Sequence, residues 1–224
     1  SAFFKGLNLY LTSNKFKSAE AHHLRLALEE VSGKDLTWFF NQWYFGSGHP
    51  RLDINYAYDD AKKQAVVVVK QKQMGGKIFR IPTFIDTYSG KDKLRHQVWL
   101  ENAIDTFKFS VASKPDLINF DGDKVLLCEK EENKSLEDYI HQYNYAKNYV
   151  DRLESINFCS KNLTDLKAVE LLKKALKDPH SGIREMVLGN ISNIKDDKTK
   201  KLFESSLVEM TKLEKKRTVK AELI

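Results

Sequence analysis

The spacing of apolar residues changes twice along the chain, from a helical period to a strand period and back again. Over residues 3–45 it is helical. Phe3, Leu7, Tyr10 and Leu11 share one face of a first helix. Ala21, Leu24, Leu28 and Val31 recur at i, i+3, i+7 and i+10 and stop at Gly33, the residue type that takes a left-handed C′ position without a Cβ clash. Asp35 caps a third helix whose Leu36, Phe39, Phe40 and Trp43 fall at i, i+3, i+4 and i+7, the spacing of a core-facing stripe. Trp38 and Tyr44 lie off that stripe, toward another part of the protein.

From Leu52 the period is two. Leu52, Ile54, Tyr56 and Tyr58 alternate with polar residues, Asp59-Asp60 makes a turn, and KQAVVVVKQKQ (63–73) is a second strand. Gly75-Gly76 turns the chain into KIFRIPTFIDTY (77–88), where Pro82 predicts an edge position or a bulge because it cannot donate to a ladder. LRHQVWLE (94–101), DTFKFSVA (105–112), PDLINFD (115–121) and GDKVLLCEK (122–130) follow at short intervals. Six or seven short strands separated by turns imply a small antiparallel β-sandwich over residues 51–130.

The polar run EKEENKS (129–135) reads as a linker, after which the helical period returns. SLEDYIHQYNYAKNYVDRLESINF (135–158) is one long helix or two shorter ones. A weak internal repeat then aligns residues 163–188 with 198–224 at a shift of 36, matching Leu166 to Leu202, Leu171 to Leu207 and Ile183-Arg184 to Val219-Lys220. Paired helices at that period predict a HEAT- or armadillo-like α-solenoid over 131–224. In DPHSGIREMVL, Asp178-Pro179 stops one helix, Ser181 caps the next and Ile183 points inward. The fold expected is therefore α+β and multidomain, divided at 1–50, 51–130 and 131–224. The first helix begins without a cap and the second repeat copy runs to Ile224 without a polar capping repeat, so the chain reads as a piece of a longer protein.

Charge changes this picture little. Net charge is +6, but residues 1–50 carry 5 basic and 4 acidic side chains, 51–130 carry 14 and 11, and 131–224 carry 18 and 16. Signs alternate throughout, with no basic stripe of the kind that binds nucleic acid. No apolar run reaches the roughly 18 residues of a membrane span.

Candidate chemistry is sparse. The six histidines, His22, His23, His49, His96, His141 and His180, contain no H-E-x-x-H and no i, i+4 pair. His22 and His23 are adjacent on a helix, so their side chains diverge by about 100° and do not converge on one metal. His49 sits in a turn and is expected to bond locally. Cys128 and Cys159 have no metal or redox spacing and read as free thiols. FGSGHP follows a helix, the wrong context for a phosphate-binding loop. Asp59-Asp60, Asp121/Asp123 and Asp196-Asp197 read as turn residues, and the sequons at Asn133, Asn162 and Asn190 as chance matches, Asn190 lying mid-helix. Tyr139, Tyr143, Tyr145 and Tyr149 read as packing between domains.

The order of these features carries a resemblance. FFKGLNLYLTSNKFKSAEAHHLRLALEEVSGKDLTWFFNQWYFGSGHPRLDI (3–54) contains a YL…N helix, a helix ending LE-x-x-SG-x-DL and an FF-x-QW…G-x-P segment. It resembles the end of the thermolysin-like catalytic domain in zinc aminopeptidases of the aminopeptidase N type, within the gluzincins. VVVVKQKQ followed by FRIPTFID looks like that family's sandwich domain, and the C-terminal repeats like its HEAT-like domain. The resemblance implies a parent protein that removes N-terminal residues from peptides with catalytic zinc. It also implies that the zinc ligands, general base and amino-group loop lie upstream of residue 1. Catalytic, cofactor-binding and metal-ligating residues are therefore expected to be none here, and this chain itself to be without a cofactor. Its role would be to scaffold and gate the active-site chamber. Implied partners are peptide substrates of the parent, the rest of the catalytic domain in cis, and a second copy through uncovered apolar surface; neither nucleic acid nor a membrane span is expected. The alternative is a non-catalytic interaction scaffold related to these peptidases that has lost zinc.

Overall fold

The computed structural model describes residues 1–221. Helices α1 (Ala2–Ser13) and α2 (Ala21–Ser32) pack against each other through Gly6, the one buried residue of α1. A Cβ at Gly6 would lie 2.6 Å from Leu28 Cδ2 and 3.2 Å from Leu28 Cα, so the absence of a side chain sets the helix spacing. The face expected to be buried is only partly so: Phe3 and Leu11 are exposed, as is Phe4. Gly33 ends α2 at φ 67°, ψ 18°, its N–H donating to the Glu29 carbonyl, which is the left-handed stop anticipated there.

Helix α3 (Thr37–Phe39) runs directly into a π-helical turn over Phe40–Tyr44, closed by the Phe45 N–H on the Phe40 carbonyl at 2.9 Å. The N-cap of α3 is Leu36, not Asp35 as expected; Asp35 stands one residue earlier and its carboxylate accepts the N–H of Thr37. The expected stripe of Leu36, Phe39, Phe40 and Trp43 is broken: Phe40 is buried and Trp43 packs on the core, but Phe39 is exposed. The wider i→i+5 turn begins after Phe39 and changes the angular step from Phe40 to Trp43.

Seven strands follow: β1 (Arg51–Asp59), β2 (Gln64–Gln71), β3 (Ile81–Ser89), β4 (Asp92–Leu100), β5 (Ile104–Ser110), β6 (Leu117–Phe120) and β7 (Glu129–Glu132). They form a four-stranded sheet ordered β5-β2-β1-β7 and a three-stranded sheet ordered β4-β3-β6. One apolar cluster draws Leu52, Ile54, Val67 and Val69 from the first sheet and Ile81, Ile85, Leu100 and Phe120 from the second.

Three expectations are corrected here. Pro82 is on the central strand of its sheet, paired with Trp99 of β4. It is tolerated because β6 engages β3 only from Ile85 to Tyr88, leaving no neighbour for Pro82 on that side. The segment 124–128 is not a strand: its Val125 and Leu126 N–H groups bond the carboxylate of Asp121, and Val125 and Leu127 are exposed. The expected linker supplies β7 instead, which runs parallel to β1 with Arg51 opposite Glu129 and Ile54 opposite Glu132, so the strands are not all antiparallel.

The remainder is helical: α4 (Leu136–Tyr145), α5 (Tyr149–Ser160), α6 (Leu166–Ala175), α7 (Ser181–Ser192), α8 (Asp197–Lys201), α9 (Glu204–Leu213) and α10 (Arg217–Ala221). Residues 146–148 separate α4 from α5, so of the two alternatives for 135–158 the pair of shorter helices is the one formed. Of the aligned repeat positions, Ile183 and Val219 are both fully buried, and Leu166 and Leu202 are both exposed, at 68% and 37%. Residues 222–224, the end of the second copy, lie outside the described residues. The cap of α7 is His180, whose Nδ1 accepts from the Gly182 N–H, with Ser181 as first helical residue. Two arginine–carboxylate pairs tie successive helices: Arg152 of α5 to Asp178 at 2.9 Å, and Arg184 of α7 to Glu214 at 2.7 Å.

Two glycines test this packing in opposite directions. Gly6→Val should force α1 and α2 apart and cost about 1–3 kcal/mol. Gly189→Ala, in α7 with nothing within 4 Å of the added Cβ, should stabilise by about 0.5–1 kcal/mol. Urea-unfolding midpoints of the two variants against the parent chain check both signs.

Candidate functional site

Two places in the fold concentrate specific side-chain chemistry. The first is the dock of α3 on the sheets. The Gln42 carboxamide donates to the Arg80 carbonyl at 2.9 Å and accepts from the Arg80 N–H at 2.7 Å. Lys77 Nζ donates to the carbonyls of Gln42 and Ser47; it passes so near Gly46 that a Cβ there would lie 2.6 Å from the amine. The Arg80 guanidinium lies 5.3 Å from the Trp38 ring centre and 4.5 Å from that of Trp99, an arrangement that favours the cation. Trp38 therefore does face another part of the protein, the second sheet. Around this dock, Phe3, Phe4, Leu11, Phe16, Leu26, Phe39, Tyr44 and Phe45 are all exposed. So many large apolar groups within one 45-residue segment are more than the scattered exposure ordinary for a surface.

The second place is a buried ionic joint where both sheets meet α4 and α5. Lys134, 1% exposed at its side chain, faces Glu132, 4% exposed, at 3.0 Å. Lys134 Nζ also donates to Asn119 Oδ1 and Gln142 Oε1. Lys130 bridges Glu132 and Glu154, each at 2.8 Å, and Lys124 lies 3.3 Å from Asp151 and 3.2 Å from Glu154. Tyr56 of β1 donates its hydroxyl to Glu132. Asn119 and Asn148 donate to Asp151. Three lysines thus meet three carboxylates with little water, and each charge is compensated in place.

The electrostatics follow from that enclosure. Burial alone would raise the Glu132 carboxyl, but Lys134, Lys130 and Lys124 outweigh it and hold the group well below the usual range. Burial also works against Glu154, which the lysines likewise keep ionised. Burial would lower Lys130; Glu132 and Glu154 reverse this and hold it far above an ordinary lysine. Lys134 differs, because burial, with repulsion from the other two lysines, outweighs Glu132 and brings it down to about 8. The same ion pair thus favours charge strongly at Glu132 and only up to mild alkalinity at Lys134. At neutral pH both are ionised. Beside Lys134 opens a groove of about 570 Å³ lined by Tyr56, Tyr58, Lys114, Asp116, Asn133 and Ser135 among others.

The residues singled out in the sequence are dispersed. His22 packs on Phe45 and His23 caps α2 through the Glu20 N–H. His49 reaches across 80 positions to Glu129 at 2.7 Å, not to a local partner as expected. Cys128 and Cys159 are free, with burial pushing the thiols up to about 11 and about 12. Tyr139 stacks on Phe158, Tyr143 donates to buried Asp178, and Tyr145 packs beside Tyr88 and Leu117. Among the described residues no group of three or more His, Cys, Asp or Glu side chains is placed to hold a metal, so the residues present do not fit a zinc centre. No helix among them is long and apolar enough to cross a membrane. The joint itself went unread in the sequence, where its charges looked like a solvated linker; its one signal was their alternation, with Lys130 and Glu132 inward and Glu129 and Glu131 outward.

Glu132→Gln should leave Lys130 and Lys134 without their shared counter-charge and cost about 3–5 kcal/mol, whereas Lys167→Ala at the exposed pair with Glu137 should cost less than about 1 kcal/mol. The pH sign follows from the depressed carboxyls. Glu132 and Glu154 take up protons in the unfolded chain near the ordinary value of 4.5 but not in the fold. Their contribution is complete above that value and is lost as pH falls through and below it. Urea midpoints between about pH 6 and pH 3 should drop steeply in the parent chain and less steeply in Glu132→Gln.

Comparison with known proteins adds a sequence likeness and a fold likeness. No family model matches the chain. It is 30% identical over 129 residues to aminopeptidase N of Haemophilus influenzae, an alignment covering 54% of this chain and 14% of that protein. Its fold superposes on a crystal structure of Legionella pneumophila aminopeptidase A in complex with aspartic acid with a TM-score of 0.74 and 14% identity, covering 99% of this chain and 32% of that one. The chain thus spans well under half the length of either relative. In sequence as in fold, it resembles a segment of an aminopeptidase.

Proposed function

We propose that the chain is the C-terminal part of a zinc-dependent aminopeptidase of the aminopeptidase N type, which hydrolyses N-terminal residues from peptides. In this reading residues 1–50 are the closing helices of the catalytic domain, 51–130 a β-sandwich domain and 131–224 a HEAT-like helical domain. The segment scaffolds and gates the active-site chamber and carries none of the chemistry, the zinc ligands belonging to the larger remainder of the parent. One observation carries the reading: the fold correspondence runs over 99% of this chain while occupying 32% of an aminopeptidase, and the sequence likeness points to the same enzyme class. The exposed aromatics of α1–α3 support it as well, since Phe4, Phe16 and Phe45 form the kind of surface that a further domain covers.

The test compares the longer protein with this chain. A parent containing H-E-x-x-H should hydrolyse an aminoacyl chromogenic substrate, lose the activity to a chelator and regain it with zinc. This chain alone should show no hydrolysis with or without zinc; turnover by the chain alone, or a parent without the motif, would overturn the proposal. With its apolar face uncovered, the isolated chain should also self-associate, since burial returns about 25 cal/mol per Å². Sedimentation across a concentration series should show dimers or larger species, and a monomer throughout would reject that part.

A further inference from the structure

The groove beside Lys134 opens where the two sheets part along β1 and β6. On β1 the Ile54 carbonyl accepts the Asn133 N–H, and both main-chain groups of Tyr56 pair with the Asn133 carboxamide. These groups face away from β2. Backbone groups alternate sides along a strand, so the N–H and C=O of Tyr58 point the same way. By then β7 has ended, at Glu132, and the chain has turned into α4, so the amide that closes Tyr56 has no successor at Tyr58. On β6 the Asp116 and Gly122 N–H groups reach the Tyr88 and Phe84 carbonyls of β3. That turns Leu117 and Asn119 toward β3, and the main-chain groups of Ile118 and Phe120 to the other side. Phe120 donates there to the Tyr56 hydroxyl; Ile118 has no such partner among the described residues. Tyr58 and Ile118 both line the groove.

We propose that this groove docks a short, extended, acidic peptide segment, which adds to the β1 edge at Tyr58 and meets the β6 edge at Ile118. The site makes no use of a free amino terminus, and the inference is independent of the enzymatic reading.

Backbone geometry argues for a peptide. A strand edge presents a donor and an acceptor at each outward residue, and a second extended backbone returns an acceptor and a donor at the same spacing. Asn133 already imitates that partner at Tyr56. Buried main-chain groups are seldom left unpaired, and Ile118 is buried. The Tyr58 hydroxyl is likewise buried without a hydrogen-bond partner. The groove volume of about 570 Å³ lies within the range of ligand clefts. Length is set by the ends: Asn133 closes one and the turn at 60–63 the other, so the segment held is short. Charge argues for an acidic one. The carboxylates of the rim are engaged, Asp116 by the Gly90 N–H, Asp138 by the Ser135 N–H and Glu137 by Lys167. Lys114 is exposed and forms no ion pair among the described residues, so the uncompensated charge at the groove is positive. One rim lysine adds little affinity but selects the sign of the partner.

Titration of the ¹⁵N-labelled whole chain with the capped pentapeptide acetyl-Thr-Val-Glu-Val-Thr-amide tests it. The Tyr58 and Ile118 amides should shift saturably and their hydrogen exchange should slow, while amides of α7 stay unchanged. An analogue N-methylated at its three internal residues, which lacks the donors of a strand, should not bind. Lys114→Ala, or lysine in place of the peptide's glutamate, should weaken binding roughly threefold. Absence of shifts at both amides up to about 5 mM peptide, equal binding by the N-methylated analogue, or an affinity unchanged in Lys114→Ala would each reject the proposal. Acetate alone separates a carboxylate site from a strand site: the same shifts with acetate would overturn the peptide reading, and their absence supports it.

Discussion

The enclosure of three lysines and three carboxylates at one point is the constraint around which the rest of the molecule is arranged. Burying charge is expensive, and a single unpaired member would cost several kcal/mol. The arrangement therefore holds only if β6, β7, α4 and α5 all arrive together with their partners. Lys124 follows β6, Lys130 and Glu132 lie on β7, Lys134 precedes α4, and Asp151 and Glu154 lie on α5. The two large apolar clusters, of the sheets and of the helices, are separate and are bridged by a small third one of Tyr88, Leu117, Tyr145 and Ala146. Polar geometry adds directional contacts to that limited apolar seam. Two neutral side chains extend it, Asn148 reaching the Gly122 carbonyl and Gln142 the Asp151 carbonyl.

The helical half repeats this logic in a simpler form. Arg152 meets Asp178, and Arg184 meets Glu214, each arginine the fourth residue of its helix and each acid buried in a turn beyond. Glu214 also accepts the N–H groups of Lys215 and Lys216, and with Arg184 these hold it at about 2. The Arg184–Glu214 pair is bidentate, with Nε and Nη2 each donating to one carboxylate oxygen, and such pairs are directional; Arg152 instead meets Asp178 through Nε alone.

Legibility in the sequence followed what carried the period. Where apolar residues alternated, as in Leu52, Ile54 and Val67, β1 and β2 were readable. Where helices ended on punctuation, as at Gly33, the stop was placed correctly. Where charge carried the alternation, as in Glu129–Glu132, a strand was mistaken for a linker, because a hydrophobicity pattern treats Lys130 and Glu132 as surface. Segment 124–128 failed for the converse reason: Val125 and Leu127 look like strand residues, but Asp121 takes the N–H groups that a ladder would use. Nothing local to the sequence announces the π turn over Phe40–Tyr44 or the exposure of Phe39. The aminopeptidase likeness was readable from residues 3–54 through motif order, a signal independent of periodicity.

Three carboxamides in this molecule act as single-residue strands. Gln42 pairs both main-chain groups of Arg80, Gln71 both of Phe79, and Asn133 both of Tyr56. Each supplies one donor and one acceptor, as a neighbouring backbone would. Exposed strand edges invite foreign strands to add on, and the usual guards are charge, proline or a bulge. Here the edge at Tyr56 is closed by Asn133 immediately after β7 ends, and the approach to β3 is closed at Phe79 and Arg80 by the two glutamines. The sheets are thus guarded at these points by hydrogen-bond saturation, a protection against aggregation that conversion of any of these amides to the acid would undo, because a carboxylate keeps the acceptor and loses the donor.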